Sequence, residues 1–150
     1  MIIINLDNSA VRSFLFYSGV LSLKTFGMTM LTSHVRNKKK VYANEEDAAF
    51  KKGVVILNDP DVERVRRAHL NDLENIPVFF ALGAMYLTTK PSDALAVNLF
   101  RAYAAGRILH TVVYAMKPLP QPARAIAFTV PFFVTIFMGF KVVIHFANSY

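Results

Sequence analysis

The chain has 150 residues and a formal charge of +7, with neither cysteine nor tryptophan. Its length points to a single domain, and a hydrophobic content of 54% exceeds the soluble-domain average and excludes a disordered chain. The missing cysteine excludes a disulfide scaffold, a cysteine nucleophile and a zinc knuckle.

The charge is unevenly spread. Nine of the seventeen Lys/Arg residues lie between Arg36 and Arg67, and after Asp93 no acidic residue follows although Arg101, Arg107, Lys117, Arg124 and Lys141 remain. A nucleic-acid binder needs an exposed basic face with accessible aromatics. Here the aromatics lie inside hydrophobic runs, so no nucleic-acid partner is expected.

Four apolar segments follow in order. The first, SFLFYSGVLSLKTFGMTMLT from Ser13 to Thr32, is about 30 Å long as a helix and matches a hydrocarbon core. A helix is predicted over about 13–35. The first dozen residues lack a basic region and no small-x-small site follows the segment, so a cleaved signal is not expected. The second, IPVFFALGAMYLTT from Ile76 to Thr89, is short for a span. Upstream lies PDVERVRRAHLNDLEN from Pro60. Pro60 suits a first helical position and Asn58 or Asp59 a cap, which predicts one helix over 60–89, polar first and apolar after.

The third segment, ALAVNLFRAYAAGRILHTVVYAM, predicts a helix over 94–116 that carries Arg101, Arg107 and His110. Two arginines at mid-helix cost about 5–7 kcal/mol on the insertion scale, more than the roughly 2.4–4.8 kcal/mol that its Leu, Ile, Val and Phe return. The fourth predicts a helix over 124–147, with Pro131 kinking it in a way that neighbouring helices tolerate. The loop before it, KPLPQPAR, is rich in proline.

Loop charges orient these helices. The first connection holds Arg36, Lys38 to Lys40, Lys51 and Lys52, and the third holds Lys117 and Arg124. The positive-inside rule places both in the cytosol and both termini on the other side. No internal repeat and no GxxxG motif occurs. The expected fold class is all-α: an integral membrane four-helix bundle in one domain spanning 1–150, with the lipid bilayer as its surroundings. A soluble bundle would need polar faces along segments one and four, which are absent.

Ionisable residues inside spans are functional candidates. Arg107, His110 and Tyr114 share one face at i, i+3 and i+7, and Arg67, Asn71 and Glu74 share another at i, i+4 and i+7. Two such stripes facing each other would make a wet cavity. Asp72 and Glu74 supply its negative charge against Arg64, Arg66, Arg67, Arg107 and Arg124, so an anionic ligand held by arginine–carboxylate pairing is expected. Arg64, Arg66 and Arg67 also admit a simpler reading as interfacial anchors. Arg12, Lys24 and Lys141 read as snorkelling or interfacial residues, as do His34 and His145. Tyr86, Tyr103 and Phe79 read as packing. No histidine pair has ligand spacing with a carboxylate, so no metal site is expected.

VERVRRAHLNDLEN (Val62 to Asn75), GRILHTVVYAM (Gly106 to Met116), PLPQPARA (Pro118 to Ala125) and KKVYANEED (Lys39 to Asp47) together resemble the membrane-associated eicosanoid and glutathione metabolism superfamily, from about Arg36 to Lys141. The resemblance implies a homotrimer of four-helix subunits in the endoplasmic reticulum and outer mitochondrial membranes. It implies a site between subunits that faces the cytosol and holds glutathione as cosubstrate. Arg36, Arg66, Arg67, His69, Asn71, Glu74 and Tyr114 match glutathione-contacting positions, with Arg107 and His110 lining the same region. Arg124 matches the arginine that the family places beside the thiol sulfur.

The implied activity is conjugation of glutathione to lipophilic electrophiles, with a glutathione-dependent peroxidase activity on lipid hydroperoxides. Alternatives within the superfamily are a non-catalytic lipid-binding scaffold and an eicosanoid-pathway synthase. Three departures stand out. Some members carry an activating cysteine after the Asn-x-Glu-Asp motif, where this chain has Ala48. The loop before Arg124 is one residue longer than the family pattern. Arg124 is followed by Ala125, where the prostaglandin-forming branch has a serine, which favours the transferase.

Overall fold

The computed structural model describes residues 6–148; the extreme ends considered for the targeting and topology readings lie outside the described residues. Helix α1 spans Ser9–Lys39. It starts where the Asn8 side chain accepts a hydrogen bond from the Val11 amide at 2.9 Å, a standard N-cap. It ends at Lys40, which adopts the left-handed conformation at φ 57. The helix outruns the apolar stretch at both ends because this cap lies before it, and because Arg36, Lys38 and Lys39 in the last turn complement the negative pole of the helix.

The first connection is built rather than loose. Strand β1 (Val41–Tyr42), helix α2 (Glu45–Phe50) and strand β2 (Val54–Val55) form a small unit. The strands pair in parallel, Val41 with Val54 and Tyr42 with Val55. Two-residue strands leave no alternation to detect in a sequence. Gly53 is required here, since a Cβ would sit 2.4 Å from the Lys40 carbonyl oxygen.

Helix α3 spans Pro60–Thr88. As the Pro60 and Asp59 signals suggested, Asp59 caps it, accepting from the amides of Asp61 and Val62 at 3.0 and 3.1 Å. Lys39 at the end of α1 donates to Asp59 and Asp61 and clasps the two helix ends together. Its hydrogen bonds hold both carboxyls below the ordinary carboxylate range.

Helix α4 (Asp93–Thr111) passes into a single π-helical segment, Val112–Met116. Helix α5 spans Ala123–Ala147 and runs through Pro131 without interruption. Pro131 has no N–H to offer the carbonyl of Ala127. Both its ring and that carbonyl pack on Gly106 of α4, where a Cβ would lie 2.6 Å from the proline Cδ and 3.5 Å from the Ala127 oxygen. A small residue on α4 therefore accommodates the helix-breaking residue on α5.

The four long helices share one core, drawn from Leu21 of α1, Ile76, Phe79 and Tyr86 of α3, Phe100 and Tyr103 of α4, and Val134 and Met138 of α5. Phe79 and Tyr103 stack at 3.9 Å, and the Tyr103 hydroxyl donates to the Asn75 carbonyl at 3.0 Å. The outside is apolar too. Leu15, Phe16, Leu23 and Phe26 of α1 and Phe132, Phe133, Phe140 and Val143 of α5 are all exposed. Patches of that extent mark contact with lipid or protein. Helices α1 and α5 are long and apolar enough to cross a membrane. The third and second apolar segments are less uniform, because α4 and α3 carry charged residues, of which Arg107 and Asp72 turn inward onto each other.

The Gly106–Pro131 contact yields a test. Gly106→Ala forces a methyl into a rigid proline ring, and such overpacking costs about 1–3 kcal/mol. The detergent-solubilised variant should unfold at a lower temperature than wild type in a thermal melt, whereas Gly27→Ala, with nothing within 4 Å of the added carbon, should not.

Candidate functional site

The two polar stripes predicted on the second and third apolar helices do meet. A cavity of ≈ 190 Å³ is lined by Arg67, Leu70, Asn71 and Glu74 of α3, His110 of α4 and Tyr114 of the π segment. The α3 residues lie on one face at helical spacing. The His110 and Tyr114 rings stack at 5.3 Å with 26° between their planes. The π segment, a feature often found at functional sites, places Tyr114 at the cavity. Nothing in the sequence announced it.

Arg124 belongs to the same corner. Its guanidinium sits over the Tyr114 ring, 5.5 Å from the centroid, and its Nε is buried without a hydrogen-bond partner. It lies in the first turn of α5, whose positive pole is an unfavourable place for a cation. The first turn carries no acidic residue to offset it. The N-terminus is capped instead by the Gln121 side chain, which accepts from the Ala125 amide at 3.2 Å. A guanidinium added to a helix N-terminus makes a strongly electropositive point beside the cavity, suited to an anion.

Arg107 is a correction. The stripe geometry put it in the cavity wall with His110, but it is not among the lining residues and is only 1% exposed. It turns inward, where its Nη2 donates to Asn71 Oδ1 at 2.9 Å and to Asp72 Oδ1 at 2.5 Å. Asp72 is fully buried, and its other oxygen accepts from Lys24 of α1. Lys24 is thus a second correction: it does not snorkel to the interface but pairs inside the bundle. An isolated ion in the interior costs several kcal/mol, and a carboxylate within reach offsets that cost.

Asp72 also ceases to be available as negative charge for the cavity. The same narrowing applies at the surface. Arg64 is paired with Asp61 at 2.8 Å and Arg66 with Glu63 at 2.6 Å, so the cations left beside the cavity are Arg67 and Arg124, against Glu74.

Besides Arg107, and Arg124 beside the cavity, three more expected residues fall outside its lining. Arg66 is exposed on α3 and His69 is half-buried there. Arg36, in the last turn of α1, is half-buried with its Nη1 enclosed and without a partner. The remaining expected residues, Arg67, Asn71, Glu74, His110, Tyr114 and Arg124, converge. The Lys24–Asp72 pair was missed, and the available signal was a lone lysine in the first apolar segment together with Asp72, one of three acidic residues in the 62–75 motif. Among the described residues no cluster of three or more His, Asp or Glu is placed to hold a metal. A larger cavity of ≈ 460 Å³ opens at the other end of the helices, between Tyr86, Ser92, Lys141 and His145, and contains none of the expected residues.

A predominantly helical chain with two membrane-length apolar helices, and a small polar cavity between α3, α4 and the π segment that holds Arg67 and lies beside Arg124, has the traits of a membrane protein with an internal polar site. The chain belongs to the MAPEG family, whose model matches residues 14–144. It is 41% identical over 141 residues to microsomal glutathione S-transferase 1 of Mus musculus, covering 91% of this chain and 90% of the relative. The Homo sapiens protein of the same name is 40% identical over the same coverage. Prostaglandin E synthase of Bos taurus is 39% identical over 125 residues, covering 83% of this chain and 81% of that protein.

The buried trio gives a direct test. Asp72→Ala leaves Lys24 and Arg107 without a counter-charge, and breaking a buried pair this way costs about 3–5 kcal/mol. The variant should show a large drop in thermal stability or fail to assemble in the membrane. A melting temperature equal to wild type would contradict the pairing.

Proposed function

We propose that the protein is a membrane glutathione transferase, an integral four-helix bundle that joins the glutathione thiolate to lipophilic electrophiles. The observation that carries the reading is the convergence of Arg67, Asn71, Glu74, His110 and Tyr114 on one cavity with Arg124 above Tyr114. The similarity to microsomal glutathione S-transferase 1 over nine-tenths of the chain supports it.

The chemistry follows from charge. Glutathione carries two carboxylates for arginines and one ammonium for Glu74. A thiol of ordinary pKa, about 8.5, is mostly protonated at neutral pH, and only the thiolate is a good nucleophile. The Arg124 guanidinium, reinforced by the positive pole of α5, favours the anion and lowers the thiol pKa. The proton leaves to solvent. The thiolate attacks the electrophilic carbon, the carbon–sulfur bond forms, and the leaving group departs with its electron pair. With a lipid hydroperoxide the thiolate attacks oxygen instead. The O–O bond breaks, an alcohol leaves, and a second glutathione resolves the sulfenic acid to disulfide and water. The apolar exterior of α1 and α5 lets a lipophilic substrate arrive from the bilayer.

A homotrimer is part of the reading. A cavity of ≈ 190 Å³ is smaller than the roughly 300–1,000 Å³ of ordinary ligand pockets, so a tripeptide needs a further wall. Arg36, with a buried and unpartnered nitrogen, and Arg66 and His69 outside the cavity suit a wall supplied by a neighbouring subunit. We further place the protein in the endoplasmic reticulum and outer mitochondrial membranes. The connections after α1 and before α5 lie in the cytosol, and both termini lie opposite.

Purified protein in detergent should form a thioether from glutathione and 1-chloro-2,4-dinitrobenzene. Arg124→Ala should lose about 100-fold or more in turnover, the scale on which a single preorganised electrostatic group acts; equal rates for variant and wild type would remove Arg124 from the mechanism. The absence of cysteine predicts that N-ethylmaleimide leaves the rate unchanged, and several-fold activation would contradict it.

The 39% identity to prostaglandin E synthase keeps an eicosanoid-pathway activity as the second reading. Prostaglandin E formation without thioether formation would favour that reading. Glutathione binding by calorimetry with neither product would favour a lipid-binding scaffold.

A further inference from the structure

The amide of Asn71 lies between two environments. On one side is the cavity that Asn71 helps to line. On the other is the Arg107 Nη2, which donates to Asn71 Oδ1 at 2.9 Å. A guanidinium has donors only, so the oxygen of the amide must face it and the NH₂ group is left for the cavity. An unrestrained asparagine could present either end to a ligand. This one cannot, because the same Arg107 nitrogen is fixed by the fully buried Asp72 carboxylate, and that carboxylate is held in turn by Lys24.

Building on the glutathione reading above, we propose that Arg107 is a positioning residue that acts through Asn71: anchored on Asp72, it locks the Asn71 amide with its NH₂ toward the cavity. The consequence is a wall whose Arg67 and Asn71 groups offer donors alone, while Glu74 is the one carboxylate. Such a surface accepts a ligand carboxylate or carbonyl at Arg67 and Asn71 and refuses a donor there. The arrangement adds selectivity without placing a buried guanidinium against the ligand, which leaves Arg107 free to satisfy Asp72.

The charges of the trio supply a control. Lys24 and Arg107 are two cations against the single anion Asp72, so removing either cation leaves a neutral pair in the bundle. Lys24→Met and Arg107→Met therefore place equal charge demands on the fold, and only the second frees Asn71. The experiment measures conjugation in detergent across glutathione and electrophile concentrations for Lys24→Met, Arg107→Met, Asn71→Ala and the Arg107→Met/Asn71→Ala double variant.

Losing one hydrogen bond to a charged ligand group should raise the glutathione KM about ten-fold in Arg107→Met and in Asn71→Ala. In both, kcat and the electrophile KM should stay within about two-fold of wild type. The double variant should be no worse than either single one, because coupled residues are non-additive. Lys24→Met should change the glutathione KM by less than about three-fold. Because one Arg107 nitrogen makes both contacts, Arg107→Lys can keep them with a single three-donor ammonium and should hold the glutathione KM within about three-fold of wild type. Arg107→Leu replaces Arg107→Met in the cycle if the methionine variant does not assemble. Additive effects, or equal effects of Lys24→Met and Arg107→Met on the glutathione KM, would overturn the positioning role. A wild-type protein whose rate does not saturate with glutathione would instead overturn the transferase reading beneath it.

Discussion

The Asp72 carboxylate is the point on which the molecule depends. One of its oxygens accepts from Lys24 of α1 and the other from Arg107 of α4, while Asp72 itself sits on α3. Three of the four long helices are therefore tied at one buried position. Hydrocarbon side chains gain little by leaving lipid for each other, so packing and interhelical polar contacts must hold helices in register within a bilayer. A bidirectional ion pair satisfies that need more specifically than packing alone, because sliding any helix by one turn separates the charges. The bundle keeps one cation in excess at this centre, and its neighbourhood is accordingly the polar part of an otherwise apolar interior.

The same position joins the core to the cavity. Asn71 and Asp72 are adjacent in sequence, and Arg107 bonds to both. The first faces the cavity and the second faces the core. A residue pair on one turn of α3 thus connects the fold's polar anchor with the cavity wall. The π segment contributes from the other side by setting Tyr114 beneath Arg124. Helix α5 in turn is seated by Pro131 against Gly106, one residue before Arg107. The site, the anchor and the helix-packing contact occupy neighbouring turns, and a shift in one is felt by the others.

Much of this was legible in the chain. The α3 start at Asp59 and Pro60 could be read from local chemistry, since a cap and a first-turn proline act within four residues. The stripe Arg67, Asn71, Glu74 and the pair His110, Tyr114 followed from helical spacing, and the structure brings them to one cavity. Arg107 did not follow, although its spacing was the same. Periodicity fixes the face of a helix to within about a quarter turn, and a long guanidinium can reach either the cavity or the core from there. Lys24 failed for a related reason: a lone lysine in an apolar segment has two ways to avoid bare hydrocarbon, and which one it takes depends on whether a carboxylate lies across the bundle.

The sequence by itself determined the all-helical class, the apolar segments and their charged connections, the family, and most of the residue types around the cavity, because each is set by composition, spacing or short motifs. The tertiary structure alone decided which charges are spent on one another across the helices. Asp61 and Glu63 take up Arg64 and Arg66 at local i, i+3 spacing on α3, but Asp72 takes up Lys24 and Arg107 inside, and Arg67 and Arg124 are left at the cavity. That interior pairing is a matter of distances of a few ångströms between residues as much as 48 positions apart, and no pattern along a single chain encodes it. Pairing consumes cations and anions alike, so the seven surplus charges of the sequence persist after folding, and the fold decides only where they lie, Arg67 and Arg124 at the cavity among them.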